Sequence, residues 1–126
     1  MSDRKNRLKK LVEVQEQLKA LHEMRRAGFL AQANAAGQEA RELSERFDAE
    51  GSLAGLFPEL YHNRIAGALK RRDESLDSAR AEAALVATAT ARTNMVERAY
   101  KAARRDDERQ RGDRERLEMI EQKRGR

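Results

Sequence analysis

The feature that most constrains this chain is the placement of its helix breakers. It has one proline in 126 residues, and glycine and proline fall close together only at Gly51, Gly55 and Pro58. Proline interrupts a helix, and glycine in a left-handed conformation commonly ends one. The long segments on either side of this cluster can therefore each form an uninterrupted helix, and the chain is predicted to reverse direction between them.

The apolar residues of the first segment recur at helical spacing. Leu11, Val14, Leu18 and Leu21 follow the three-and-four alternation typical of a helix packed on a partner helix. We predict that they form the seam of a coiled coil. The predicted row then continues less regularly through Met24, Gly28, Ala31, Ala35, Ala36, Ala40, Leu43 and Phe47.

The second segment shows a regular heptad from Ile65 to Tyr100, and its helix is predicted to continue through Leu117 and Ile120. Small residues in both segments are predicted to let the two helices approach closely, while the apolar turn is predicted to cover one end of the pair. The heptad positions are Ile65, Leu69, Arg72, Leu76, Ala79, Ala83, Val86, Thr90, Thr93, Glu97 and Tyr100. The small residues predicted to line the helix pair are Ala27, Gly28, Ala31, Ala35, Ala36, Gly37, Ala79, Ala83 and Ala87. The apolar residues of the turn are Leu53, Leu56, Phe57, Leu60 and Tyr61.

These patterns predict an all-α fold, a long antiparallel two-helix coiled-coil hairpin that forms a single domain over residues 1–126. Helix one is expected over about 3–49, the turn over about 50–58 and helix two over about 59–123. Residue i should then lie near residue 107 − i, which leaves roughly 20 residues of helix two as a C-terminal overhang without an intramolecular partner.

Composition agrees with this fold. Charged residues make up 39% of the chain and aromatic residues 4%, too little bulky apolar matter for a broad globular core but enough for a narrow seam. Disorder is the competing interpretation, and the regular placement of the apolar residues argues against it.

The positive charge is concentrated near the two termini. The net charge is +5, with five basic residues against one acidic in residues 1–10 and ten against seven in residues 101–126. A hairpin brings these segments together, so we predict one basic surface that attracts an acidic protein partner; two solvated helix ends are the alternative. The predicted partner-binding residues are Arg4, Lys5, Lys9, Lys10, Arg104, Arg105, Arg109, Arg111, Arg114, Arg116, Leu117, Met119 and Ile120.

The sequence shows no pattern typical of catalysis. It has no cysteine, no glycine-rich phosphate loop, and two histidines, His22 and His62, without a recognisable set of metal ligands. We expect no enzyme activity, metal, cofactor or small-molecule substrate. A cytoplasmic protein without a membrane span is expected, with peripheral membrane association left open. Nucleic acid is disfavoured because seven acids dilute the basic residues of the C-terminal segment.

The chain resembles the FliJ family, the small YscO-like coiled-coil stalk proteins of flagellar and type III export. The resemblance is in RLKKLVEVQEQL at residues 7–18, the reversal near mid-chain, and ERQRGDRERLEM at residues 108–119. It implies a hairpin whose terminal end enters the ring of the export ATPase while other surfaces contact the export gate or chaperones. A coiled-coil adaptor or chaperone of another assembly is the alternative, and a nucleic-acid-binding helical protein is less favoured.

Overall fold

The computed structural model describes residues 2–52 and 55–125 and contains two long helices. Helix α1 spans Ser2–Asp48 and helix α2 spans Pro58–Arg124, each within one residue of the predicted bounds. The two helices pack against each other, and no strand occurs among the described residues, which confirms the all-α two-helix hairpin.

The chain divides into two compact units. The terminal unit combines residues up to 19 with those from 88 onwards, and the turn unit is Ala20–Ala87. Each unit therefore contains a segment of both helices.

The turn forms where the breakers predicted it. Gly51 has φ 74°, the left-handed conformation that glycine adopts without steric cost after a helix end. Pro58 opens α2, where its missing N–H leaves no helical hydrogen bond unmade. Leu53, one of the residues predicted to cover the hairpin end, lies outside the described residues.

The prediction that the apolar turn covers the end of the helix pair is wrong for three of its residues. Leu56, Phe57 and Leu60 are exposed. Only Tyr61 is half-buried, with its ring centroid 6.1 Å from that of Phe47. Leu56, Phe57 and Leu60 thus project into solvent, and only Tyr61 packs back against α1.

Small side chains dominate the core of the turn unit. Ala33, Ala36, Ala40 and Leu43 are buried on α1 at alternating three- and four-residue spacing, and the side chain of Ala68 on α2 is 0% exposed. Because alanine projects so little from a helix, the two backbones can pack closely along this stretch. Of the small residues predicted to line the helix pair, Ala36 and Ala79 are buried and Gly37 and Ala83 are half-buried, so the prediction is confirmed for these four.

Five of the small residues predicted to line the helix pair are not at the contact between the helices. Ala27, Gly28, Ala31, Ala35 and Ala87 are exposed. A Cβ built on Gly28 or Gly67 would meet nothing within 4 Å, and one on Gly37 would be 3.6 Å from the Arg72 side chain, an ordinary contact. Close packing between the helices therefore does not require glycine at these positions.

Helix α2 follows its predicted heptad: all eleven of the residues predicted between Ile65 and Tyr100 are buried or half-buried. In the terminal unit, Thr93 is the most buried polar residue, and its hydroxyl donates a 2.7 Å hydrogen bond to the Ala89 carbonyl oxygen. This bond satisfies the hydroxyl within its own helix, so a threonine can occupy the seam.

The predicted seam of α1 is wrong in its N-terminal part. Leu11, Val14 and Leu18 are 42%, 48% and 39% exposed, and Leu21 in the turn unit is exposed as well. The half-buried row lies one residue later, at Leu8, Val12, Gln15, Lys19 and, in the turn unit, His22. Because polar residues occupy much of this true seam, the sequence pattern favours the more apolar row beside it.

No described helix includes a stretch long and apolar enough to cross a membrane.

Candidate protein-binding site

All the residues predicted to bind a partner lie in the terminal unit, and we call them the terminal surface. Its best-defined contact joins the two helices. The Lys5 Nζ is 3.1 Å from Asp107 Oδ2, and Arg111 Nη2 is 3.3 Å from the same oxygen. Lys5 therefore meets α2 five residues beyond the position, near 102, that the simple fold-back had predicted.

The carboxyl of Asp107 has a lowered pKa. The hydrogen bond from Lys5 is the main cause, and the positive charges of Lys5 and Arg111 add to it, while partial burial acts in the opposite direction. Both partners favour the charged carboxylate. Asp107 thus fixes the start of α1 against α2 and neutralises part of the basic surface.

This contact should make the terminal unit sensitive to acid. Because the folded-state pKa of Asp107 lies below its ordinary value of 3.8, the contact stabilises the fold above that value, and the stabilisation is lost as pH falls through the folded pKa. We expect Asp107→Asn to remove this part of the pH dependence of thermal unfolding, measured by circular dichroism between neutral and acidic pH. Parallel curves for the two proteins would contradict the assignment.

The remaining cations of the terminal surface fall into two groups. Arg104 pairs with Glu108 at 3.2 Å and Arg116 with Asp113 at 3.6 Å, while Arg105 donates to the Lys101 carbonyl oxygen. The second group forms neither an ion pair nor a side-chain hydrogen bond with any residue that the structure describes. It comprises Arg4, Lys9, Lys10, Arg109 and Arg114. These five cations are the ones available to an acidic partner.

The overhang of α2 is exposed throughout. Every described residue after Gly112 is exposed, including Leu117, Met119 and Ile120. Leu117 and Ile120 are three residues apart, so they lie on one face of the helix. The structure therefore leaves this segment without a covering element among the described residues, as the sequence predicted.

The terminal unit has a second exposed apolar region that sequence reasoning missed. In antiparallel helices, the residues one position before the seam lie on the same side of the pair. On α1 these residues are Leu11, Val14 and Leu18, and on α2 they are Met95, the half-buried Ala99 and Ala102; we call this set the apolar face. The exposed Arg92, which precedes the seam residue Thr93, borders it on α2.

A groove of about 440 Å³ continues the apolar face towards the termini. Arg4 and Arg7 from α1 and Asp106 and Gln110 from α2 line it together. Arg4, Arg7 and Asp106 each directly precede a seam position, as the residues of the apolar face do. Because these residues of α1 and α2 line one groove, the positions before the seam lie on the same side of the helix pair. The sequence shows the spacing of Leu11, Val14 and Leu18. It does not show whether this row or the row beside it packs against α2, so it could not predict that these residues are exposed.

The opposite side of the terminal unit is polar. The residues one position after the seam on α1 are Lys9, Glu13 and Glu16, all exposed. On α2 the corresponding positions include Asn94 and Lys101, which are exposed as well. The terminal unit thus has one side with an apolar centre, bordered by charged residues, and one side that is polar throughout the positions named.

The two histidines have structural contacts. His22 Nδ1 is 2.6 Å from Glu82 Oε2 across the helix pair of the turn unit, and the His62 ring centroid lies 5.0 Å from that of Phe47. Within the described part of the chain, no group of three or more potential ligands is placed to hold a metal ion.

Comparisons with models of protein families, with curated proteins and with solved structures find no significant match. The description of the terminal surface and the apolar face therefore rests on this chain alone.

Proposed function

We propose that this protein is a non-enzymatic coiled-coil adaptor that binds an acidic protein partner through its terminal surface. The observation on which the proposal rests is the overhang of α2, where Leu117, Met119 and Ile120 are exposed beside unpaired cations. A helix in this state can insert its apolar residues into a groove on another protein, the usual way in which an amphipathic helix is recognised.

The charge pattern supports an acidic partner. Arg109 and Arg114 lie in or next to the overhang and form no ion pair with described residues, so their charge is available for a complex. Charges at the rim of an interface chiefly speed association and select the partner, and salt weakens their effect. Binding should therefore weaken as ionic strength rises.

The resemblance to the FliJ family suggests a specific partner, the ATPase ring of a flagellar-type export apparatus. In this form of the proposal the chain is the stalk of that ATPase, and the terminal surface is the part that contacts the ring. An adaptor or chaperone of a different assembly would use the same surface for a different acidic protein.

Charge reversal tests the proposal. The double variant Arg109→Glu, Arg114→Glu should lower the affinity for the export ATPase of the same organism by roughly tenfold, as expected for about 1.4 kcal/mol of lost attraction. Affinity can be measured by titrating labelled chain with the purified ATPase.

The matched control is Arg41→Glu, Arg64→Glu, which makes the same change in net charge on exposed residues of the turn unit. The control should bind like the unmodified chain. Equal losses in both variants would show that only net charge matters, and unchanged binding in both would remove the terminal surface as the contact.

A further inference from the structure

We propose that the apolar face of the terminal unit binds the same face of a second copy of this chain, forming a four-helix arrangement. This inference concerns residues of both helices that precede the overhang, and it does not depend on the proposed function.

The first step is that this side of the terminal unit is apolar without being covered. Leu11, Val14 and Leu18 project from α1, and Met95 on α2 is exposed as well. A layer of two helices with one apolar side and one charged side is a stable solution only when a second layer covers the apolar side. Two packed hairpins provide such a layer in a four-helix bundle.

Charged residues at the end of the apolar face favour a second copy of this chain as the partner that covers it. Arg7 and Asp106 line the same groove at the end of the apolar face, one from each helix, and neither forms an ion pair with a described residue. Arg7 donates only to the Asp3 carbonyl oxygen of its own helix, at 3.4 Å. The groove thus presents a cation on its α1 edge and a carboxylate on its α2 edge, neither of them neutralised by an ion pair with a described residue. A surface of this kind is complementary to itself when rotated by a two-fold axis.

The direction of the axis follows from the charges. A two-fold axis parallel to the helices places α1 of one copy over α2 of the other at the same height. Arg7 of each copy then faces Asp106 of the other, and the leucine row of each α1 packs over Met95, Ala99 and Ala102 of the other α2. The Arg7–Asp106 contact and the packing of the leucine row each form twice in a dimer. Each copy supplies a layer of two helices, as wide as the face that it covers.

Light scattering on the full chain tests the dimer. We expect a mass twice the 14.4 kDa of the single chain, decreasing to that of one chain on dilution. Leu18→Glu should give the single-chain mass with unchanged helical circular dichroism, because the new carboxylate would be buried in the interface. Asn94→Glu, on the charged side, should remain dimeric. A single-chain mass for the unmodified protein at every concentration, or a dimeric Leu18→Glu variant, would overturn the proposal.

A charge exchange tests the arrangement independently. Arg7→Glu alone places two acids opposite each other in both contacts, and Asp106→Arg alone places two bases there, so each variant should dimerise more weakly than the unmodified chain. Mixing the two variants restores two opposite-charge contacts and should recover a mixed dimer. Failure of the mixture to recover dimers, or dimers of unchanged strength in each variant alone, would contradict the two-fold arrangement. Because rescue requires two different chains, an effect within one chain cannot imitate it.

Discussion

Leu43→Ala should be among the most destabilising single substitutions in this protein, lowering the free energy of unfolding by about 2–5 kcal/mol. Leu43 is 6% exposed and is the largest buried apolar residue among the described residues of the turn unit. Truncating it removes apolar contacts and leaves a cavity between helices whose other buried residues in this unit are alanines, which cannot fill the space. Chemical denaturation followed by circular dichroism measures the loss.

The matched control makes the same chemical change at an exposed site in the same unit. Leu60 is 52% exposed, so Leu60→Ala should change the free energy of unfolding by no more than about 0.5 kcal/mol. Equal destabilisation by the two substitutions would show that Leu43 does not occupy the core of the turn unit.

Enlarging the fully buried alanine of α2 should also destabilise the fold. Ala68 is 0% exposed, so its neighbours leave none of its surface accessible to solvent. Ala68→Leu adds three carbon atoms without space for them and should cost about 1–3 kcal/mol. Thermal unfolding followed by circular dichroism should show a lower midpoint than that of the unmodified chain.

Ala66→Leu is the control for this substitution because Ala66 is exposed two positions earlier on the same helix. It introduces the same side chain with the same helix propensity and should leave the midpoint nearly unchanged. If Ala66→Leu destabilises as much as Ala68→Leu, the assigned face of α2 is wrong.

The helix bounds could be predicted from the sequence because they depend on local chemistry. Gly51 and Pro58 act through their own backbone preferences, and both occupy the positions expected of them. The overhang also followed from the sequence, since helix two is longer than helix one. These features need no knowledge of which side chains pack.

The contact face of α1 could not be predicted in the same way. Two adjacent rows share the three-and-four spacing, and the row with more leucines is the exposed one. The true seam includes Gln15 and Lys19, whose polar character concealed it. A helix with two such rows is expected when it packs on two neighbours, so the error and the proposed second copy have the same physical origin.

The pairing of Lys5 with Asp107 was also beyond the sequence. Several acids lie within a few residues of Asp107, and which of them meets Lys5 depends on the register that the turn sets. The sequence predicts one basic surface, whereas the structure shows several of these cations paired with neighbouring acids and five with neither an ion pair nor a side-chain hydrogen bond to described residues. That difference selects Arg109 and Arg114 for the binding test.

The central claim is that the terminal surface binds an acidic protein partner, in the specific proposal the export ATPase. Light scattering coupled to gel filtration, on the chain, the ATPase and their mixture, tests it most directly. The account predicts a co-eluting complex at low salt that diminishes at high salt and with Arg109→Glu, Arg114→Glu, but persists with Arg41→Glu, Arg64→Glu. Separate elution of the two proteins at low salt would contradict it for this partner.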